Sequence, residues 1–178
     1  AVGLCVNYNA PGAGASQNHV HAHAWVQSAA EPYPSQLAET DLSQEPFWLK
    51  GLDAVATLKV YPATTISIRG VDAGILLHHI LDEAHKHNLA YNIAFFTSEV
   101  LLFLRPKEAE IVEDLVPGLK LGACQLLGLW AVDTEEQYTD LDEGRIEAAL
   151  RRTRLPEPRL RAVLGAVFGG EAGGGEVA

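Results

Sequence analysis

The length, composition and charge of the chain exclude several classes of protein. Its 178 residues, 48% hydrophobic and 20% charged, predict one globular domain of ordinary size or two small ones. Thirteen Lys and Arg against 23 Asp and Glu leave a formal net charge of −10. This balance argues against a nucleic-acid partner, because binding to a phosphate backbone needs clustered positive charge.

Cysteine content and hydropathy predict the cellular setting. Cys5 and Cys124 are too few and too far apart for a disulfide framework or a cysteine-rich zinc module, so a reducing compartment fits best. No apolar run reaches the roughly 20 residues of a membrane-spanning helix, and the first residues lack the basic-then-apolar order of a signal peptide. We expect a soluble, cytoplasmic protein without a membrane partner. Since the chain opens on Ala1 and contains no methionine, we also expect it to lack the N-terminal part of a longer polypeptide.

The first 27 residues predict a pair of strands around a glycine-rich turn. Residues 2–9 alternate as a half-buried strand does, with one face formed by Val2, Leu4, Val6 and Tyr8. Residues 9–18 are rich in Gly, Ala, Ser and Asn, which lets the backbone turn and approach a ligand closely. Residues 19–27 alternate again. The following segment, 28–50, has three prolines and no periodicity, and predicts a long loop.

The remaining chain, 51–168, predicts a sheet with helices, followed by a disordered tail at 169–178. Strands are expected at 52–61, 64–69 and 124–132, a hairpin at 92–96 and 100–105, a helix over 72–88 capped by Asp72, and two amphipathic helices near 145–150 and 156–167. Runs of strands followed by helices favour an α+β fold with an antiparallel sheet and flanking helices.

His19, His21 and His23 are the strongest functional signal. Alternate positions of a strand point to the same face, so three imidazoles are expected on one surface. The glycine-rich segment before them offers backbone amides and the Ser16 hydroxyl, which could hold phosphate oxygens in a concave nest. The glycine-rich lead-in next to the three histidines makes a chance arrangement less favoured.

The segment GAGASQNHVHAHAWV resembles the motif of the histidine-triad superfamily, in which three histidines alternate with hydrophobic residues. The longer lead-in VNYNAPGAGASQNH is similar to the nucleotidyltransferase branch, and most similar to the GDP-D-glucose and GDP-L-galactose phosphorylases. Two later stretches, NLAYNIAFFTSEVLLFLRPK and LLGLWAVDTEEQYTDLDEGRIEAALRRTRL, continue the resemblance more loosely. It implies a histidine-triad-like fold over residues 1–168.

The resemblance also implies roles for individual residues. His21 would be the nucleophile that forms a nucleotidyl-histidine intermediate, His19 would support its orientation, and His23 would donate to phosphate or the bridging oxygen. The implied substrate-binding residues are Ser16, Gly14, Asn9 and Gln17. The chemistry needs no metal or other cofactor, and the implied partners are a nucleotide-sugar and inorganic phosphate, with a homodimer as an open assembly.

Several alternatives stay open at this point. Many transferases of this branch carry Gln where this chain has His23, whereas the hydrolases carry His, so phosphorolysis, transfer and hydrolysis all fit. The chain could also be a non-catalytic, truncated remnant that binds nucleotide. A zinc site on the three histidines is disfavoured because neither a suitably spaced carboxylate nor a cysteine pair accompanies them.

Overall fold

In the computed structural model, the protein is described over residues 2–15, 19–28, 30–107, 115, 119–132 and 134–169. Within these ranges, runs of strands are followed by helices in an α+β arrangement. In chain order the elements are β1 Val2–Asn9, β2 Ala22–Ser28, α1 Pro34–Leu37, β3 Phe47–Trp48, β4 Ala54–Leu58, β5 Thr65–Gly70, α2 Ala73–Lys86, β6 Leu89–Phe95, β7 Val100–Pro106, α3 Ala123–Leu127, α4 Glu135–Asp140, α5 Glu143–Arg152 and α6 Glu157–Phe168.

The seven described strands form one sheet in the order β2-β1-β6-β7-β5-β4-β3, and every pairing is antiparallel. The central hairpin of β6 and β7 is almost fully buried because helices cover both of its faces. On one face the strands pack against α2 and α6, and on the other against α1, α3 and α5. This arrangement confirms the predicted fold class. None of the helices in the described ranges has the length and apolar character needed to cross a membrane.

Among the described strands β2 is an edge strand that pairs with β1 alone, and the register of this pair determines which residues lie side by side. Asn7 of β1 lies opposite His23, and Cys5 lies opposite Trp25. Facing residues of two antiparallel strands point to the same side of the sheet. His23 and Trp25 therefore lie on the face that carries α1 and α3.

The structure corrects the expected burial of β1. The apolar face was predicted to be the buried one, but Leu4 is exposed, whereas Cys5 and Asn7 on the opposite face are fully buried. The reason is that α3, from a distant part of the chain, packs over that opposite face, while α2 and α6 cover the other face mainly nearer the sheet centre. The amide nitrogen of the Asn7 side chain donates to the Cys124 sulfur at 3.5 Å.

Three other predictions also needed correction. Residues 28–50 are not a continuous loop, since they contain the short helix α1 and the two-residue strand β3. The predicted strand at 124–132 was wrong, because residues 123–127 form the helix α3, which ends at Gly128 in the left-handed region. Asp72 precedes α2 but makes no side-chain cap, and its carboxylate instead accepts a hydrogen bond from the Asp53 backbone at 2.7 Å. Residues 170–178 of the predicted tail lie outside the described residues.

Gly128 is required where α3 meets α1. Its φ is +102°, and a Cβ added there would lie 2.6 Å from Pro34 Cγ. We expect Gly128→Ala to destabilise the protein by about 1–3 kcal/mol, because it combines backbone strain with a clash. Urea unfolding measures this change.

Gly165→Ala is the matched control for this substitution. Gly165 lies inside α6, and a Cβ added there meets no atom within 4 Å. Alanine is the better helix former, so this control is expected to be neutral or to stabilise by up to about 1 kcal/mol. Equal effects of the two substitutions would contradict the proposed close contact between Gly128 and α1.

Candidate active site

The three motif histidines form one contiguous row, which we call the histidine row: His19, His21 and His23. The ring centroids of His19 and His21 lie 5.0 Å apart, and those of His21 and His23 lie 5.2 Å apart. Strand β2 begins only at Ala22, so the predicted strand over 19–27 starts three residues later than expected. The side-by-side arrangement of the rings nevertheless extends beyond the regular strand.

A single hydrogen bond determines which ring nitrogen of His21 carries the hydrogen. Its Nδ1 lies 3.1 Å from the backbone carbonyl oxygen of His19. A carbonyl oxygen can only accept, so Nδ1 must carry the hydrogen. In the neutral ring the other nitrogen, Nε2, then has a free lone pair. The His21 residue is partly exposed.

The end of the histidine row opens into a cleft of about 400 Å³, which we call the histidine cleft. One wall is β2 and the other is the segment that leads into α3. Among the described residues that line it there is no Asp or Glu, and the one cation is Lys120. The lining residues are Asn9, Gly14, His23, Ala24, Trp25, Lys120, Gly122, Ala123, Cys124 and Gln125.

Asn9 joins the parts of the chain that form the histidine cleft. Its Oδ1 accepts hydrogen bonds from Asn92 Nδ2 at 2.7 Å and from the Ala123 backbone N–H at 2.8 Å. Asn92 also donates to the Ala13 carbonyl at 2.7 Å, which fixes the glycine-rich turn onto β6. Because both bonds use the Asn9 carbonyl oxygen, a contact between Asn9 and a ligand would have to use its Nδ2 group.

The predicted phosphate-binding turn is only partly described. Gly14 lines the histidine cleft and has a φ of +79°, and a Cβ added there would lie 2.6 Å from the Leu121 carbonyl oxygen. A glycine is therefore needed where the turn packs against the backbone before α3. Ser16 and Gln17, both predicted to bind substrate, lie outside the described residues.

Trp25 is held beside the histidine row rather than left free. Its Nε1 donates to the Tyr33 hydroxyl, and the two rings meet edge to face with centroids 6.4 Å apart. Burial raises the pKa of Tyr33, although the hydrogen bond from Trp25 opposes this effect. The wall formed by β2 is thus tied to α1 as well as to β1.

Among the described residues, the histidine row has no further side chains arranged with it to form a metal centre. Over the described parts of the chain, no group of three or more His, Cys, Asp or Glu side chains is arranged to hold a metal ion. His78, His79, His85 and His87 lie on or next to α2, where His78 pairs with Asp82 and His87 pairs with Glu83.

Sequence reasoning missed Lys120, Cys124 and Asn92 as parts of the site. They lie about 70 residues or more after the histidine row and carry no motif of their own. Antiparallel pairing brings Asn92 opposite Asn9, and the packing of α3 on β1 brings in the other two residues. No local signal in the sequence could have identified them.

Comparison with known proteins supports the fold. No protein-family model and no curated protein matches this sequence. The solved structures that are similar to it include two of the yeast Ap4A phosphorylase Apa2, one in complex with AMP and one with Ap4A. The AMP complex is 16% identical, with 86% of this chain and 56% of that chain covered and a TM-score of 0.58. The Ap4A complex is 15% identical, with 87% of this chain and 55% of that chain covered and a TM-score of 0.57.

At this level of identity the similarity establishes a shared fold. The chain spans little more than half of the length of the solved chains that it matches. The similarity covers 86% of the present chain.

The two cysteines are expected to differ sharply in reactivity. Cys5 is fully buried, and burial, with a smaller contribution from Cys124, raises its pKa to about 11. Cys124 is partly exposed and lines the histidine cleft. We expect iodoacetamide at pH 8 to alkylate Cys124 at least about tenfold faster than Cys5, because the thiolate is the reactive form and must be accessible. Peptide mapping by mass spectrometry measures both rates.

Unfolding the protein in guanidinium provides the control, since both thiols should then react at similar rates. Faster alkylation of Cys5 than of Cys124 in the native protein would contradict the described position of α3 over β1.

Proposed function

We propose that the chain is a nucleotidyltransferase of the histidine-triad kind that cleaves a phosphoanhydride-linked nucleotide through a covalent intermediate on His21. The observation that supports this most directly is the hydrogen bond between His21 Nδ1 and the His19 carbonyl. It leaves Nε2 of the neutral ring as an unprotonated nucleophile on a partly exposed side chain.

The reaction would proceed in two displacements. His21 Nε2 attacks the α-phosphorus, a nitrogen–phosphorus bond forms, and the bond from that phosphorus to the bridging oxygen breaks. Inorganic phosphate then attacks the same phosphorus, the nitrogen–phosphorus bond breaks, and a nucleoside diphosphate leaves. Splitting one difficult displacement into two is the general advantage of a covalent intermediate.

His23 is suited to assist the leaving group. Its ring lies next to that of His21 and its side chain lines the histidine cleft, where the departing phosphate oxygen would lie. An imidazole N–H there can donate to the bridging oxygen as negative charge develops on it. His19 contributes through its backbone carbonyl, which holds His21 in the required tautomer.

The charge around the histidine cleft favours an anionic substrate despite the overall charge of the protein. The chain carries a net charge of −10, yet the described lining contains Lys120 and no acidic side chain. Local donors act at short range, whereas distant surface charges are screened over about 10 Å at ordinary ionic strength. A substrate phosphate can therefore bind here, with Gly14 and, from the family resemblance, Ser16, Asn9 and Gln17 as further contacts.

Two substrate classes fit the proposed chemistry. The sequence resemblance favours a GDP-hexose, whose cleavage would release a hexose 1-phosphate and then GDP. The fold similarity favours a dinucleoside polyphosphate, because the solved neighbours are named Ap4A phosphorylase and hold AMP or Ap4A. In both cases a nucleoside monophosphate is carried by His21. Water as the second acceptor would make the protein a hydrolase and release the monophosphate.

Brief incubation with GDP-glucose or with Ap4A, followed by intact-mass measurement, tests this proposal. We expect a mass gain of one nucleotidyl group with at least one of the two substrates, and the mass of the group identifies the base. His21→Ala should abolish the adduct and lower turnover at least about a thousandfold, because the nucleophile is lost.

His79→Ala is the matched control, since His79 is exposed on α2 and lies outside the site. It should leave adduct formation unchanged. With phosphate present, a nucleoside diphosphate product supports phosphorolysis, whereas a monophosphate formed without phosphate supports hydrolysis. Full turnover by His21→Ala would refute both versions.

A further inference from the structure

The short helix α1 contacts β2, the strand that begins within the histidine row and contains His23. Gln27 Nε2 of β2 donates to Gln36 Oε1 of α1 at 2.9 Å and to the Glu31 carbonyl at 3.1 Å. Trp25 donates to Tyr33, which precedes α1. Because β1 is the one described strand that pairs with β2, these side-chain bonds to α1 and to the residues just before it are a second attachment of β2.

The same helix contacts the opposite wall of the histidine cleft. Ser35 is fully buried, and its hydroxyl donates to the Leu127 carbonyl of α3 at 3.4 Å. Pro34 lies against Gly128, where no Cβ can be accommodated. α1 therefore lies between β2 and α3, the two elements that face each other across the cleft.

A buried lysine from the far half of the sheet holds α1 in place. Lys59 follows β4, is 9% exposed, and donates from Nζ to the carbonyl oxygens of Gln36 at 3.1 Å and Ala38 at 2.6 Å. Helix C-terminal carbonyls lack partners within the helix, and a four-residue helix has few internal hydrogen bonds of its own. Lys59 supplies donors where α1 ends.

Burial of the charged Lys59 side chain costs free energy, as its surroundings show. Burial lowers the pKa of the Lys59 ammonium, an effect that the nearby Glu99 opposes. Glu99 is itself buried, and it already accepts hydrogen bonds from Ser67 at 2.8 Å and Arg69 at 3.0 Å. The ammonium is thus buried chiefly against backbone carbonyls of α1 and its C-cap, so its burial is tied to the position of that helix.

We infer that Lys59 and Gln36 are positioning residues that set the placement of the histidine row relative to α3, and thereby the rate of nucleotidyl transfer. The inferred effect on the rate of nucleotidyl transfer rests on the proposed function. Neither side chain is among the residues that line the histidine cleft. Their influence would pass through α1 to Trp25 and Gln27, and so to β2.

Lys59→Met tests the inference because it keeps most of the aliphatic side chain and removes the donors. Hydrogen exchange, followed by mass spectrometry, is expected to become at least about tenfold faster in Ala22–Ser28 while exchange in α2 stays unchanged. In a single-turnover assay with the substrate that labels His21, the rate of adduct formation should fall about ten- to a hundredfold, with a much smaller change in KM.

Two further variants make the outcome interpretable. Lys59→Arg should restore most of the rate, because a guanidinium can donate to both carbonyls. Gln36→Leu leaves the lysine in place but breaks the bond to Gln27, so it serves if Lys59→Met fails to fold, and it should produce the same selective exchange in β2. Lys86→Met, at an exposed lysine of α2, is the control and should change neither measurement.

Unchanged exchange in β2, or exchange that rises equally in β2 and α2, would overturn the inference, since either result assigns Lys59 a purely global structural role. If the unmodified protein forms no adduct with either nucleotide, the proposed function fails by itself. The exchange experiment on Lys59→Met and Gln36→Leu still decides whether α1 positions the histidine row.

Discussion

The hydrogen bond from the His21 ring to the His19 carbonyl is the contact on which the chemistry of this protein depends. An imidazole with its hydrogen on Nε2 would present a donor to a substrate phosphate, whereas one with its hydrogen on Nδ1 presents a lone pair. The backbone that leads into β2 makes this choice. Only because that backbone turns its His19 carbonyl toward the ring does a row of histidines become a candidate nucleophilic site.

The rest of the site depends on how distant segments are brought against that row. Asn9 accepts hydrogen bonds from both β6 and the start of α3, so one carbonyl oxygen connects three parts of the chain. On the other side α1 contacts both β2 and α3. The histidine cleft is therefore enclosed by elements that are each held by polar contacts of defined geometry. We expect the loss of any of these hydrogen bonds to shift the histidine row relative to the opposite wall of the histidine cleft.

The sequence predicted secondary structure correctly where the pattern of apolar residues is local and periodic. The β6–β7 hairpin and α2 were predicted within a few residues, because alternation and helical spacing directly reflect burial on a sheet or helix. The prediction of a strand was wrong where α3 forms, because a short apolar run is compatible with either a strand or a helix until its packing is known. Sequence reasoning also failed for the buried face of β1, because the covering helix comes from more than 100 residues later in the chain.

Ring nitrogen spectra of His21 test the central claim most directly. Long-range nitrogen–proton correlations distinguish the two neutral tautomers, and His21→Ala identifies the signal. At a pH where the imidazole is neutral, the account predicts a hydrogen on Nδ1 and a pyridine-like Nε2. A neutral His21 ring with its hydrogen on Nε2 would contradict it, because its lone pair would then lie on Nδ1, which faces the His19 carbonyl oxygen and not a substrate.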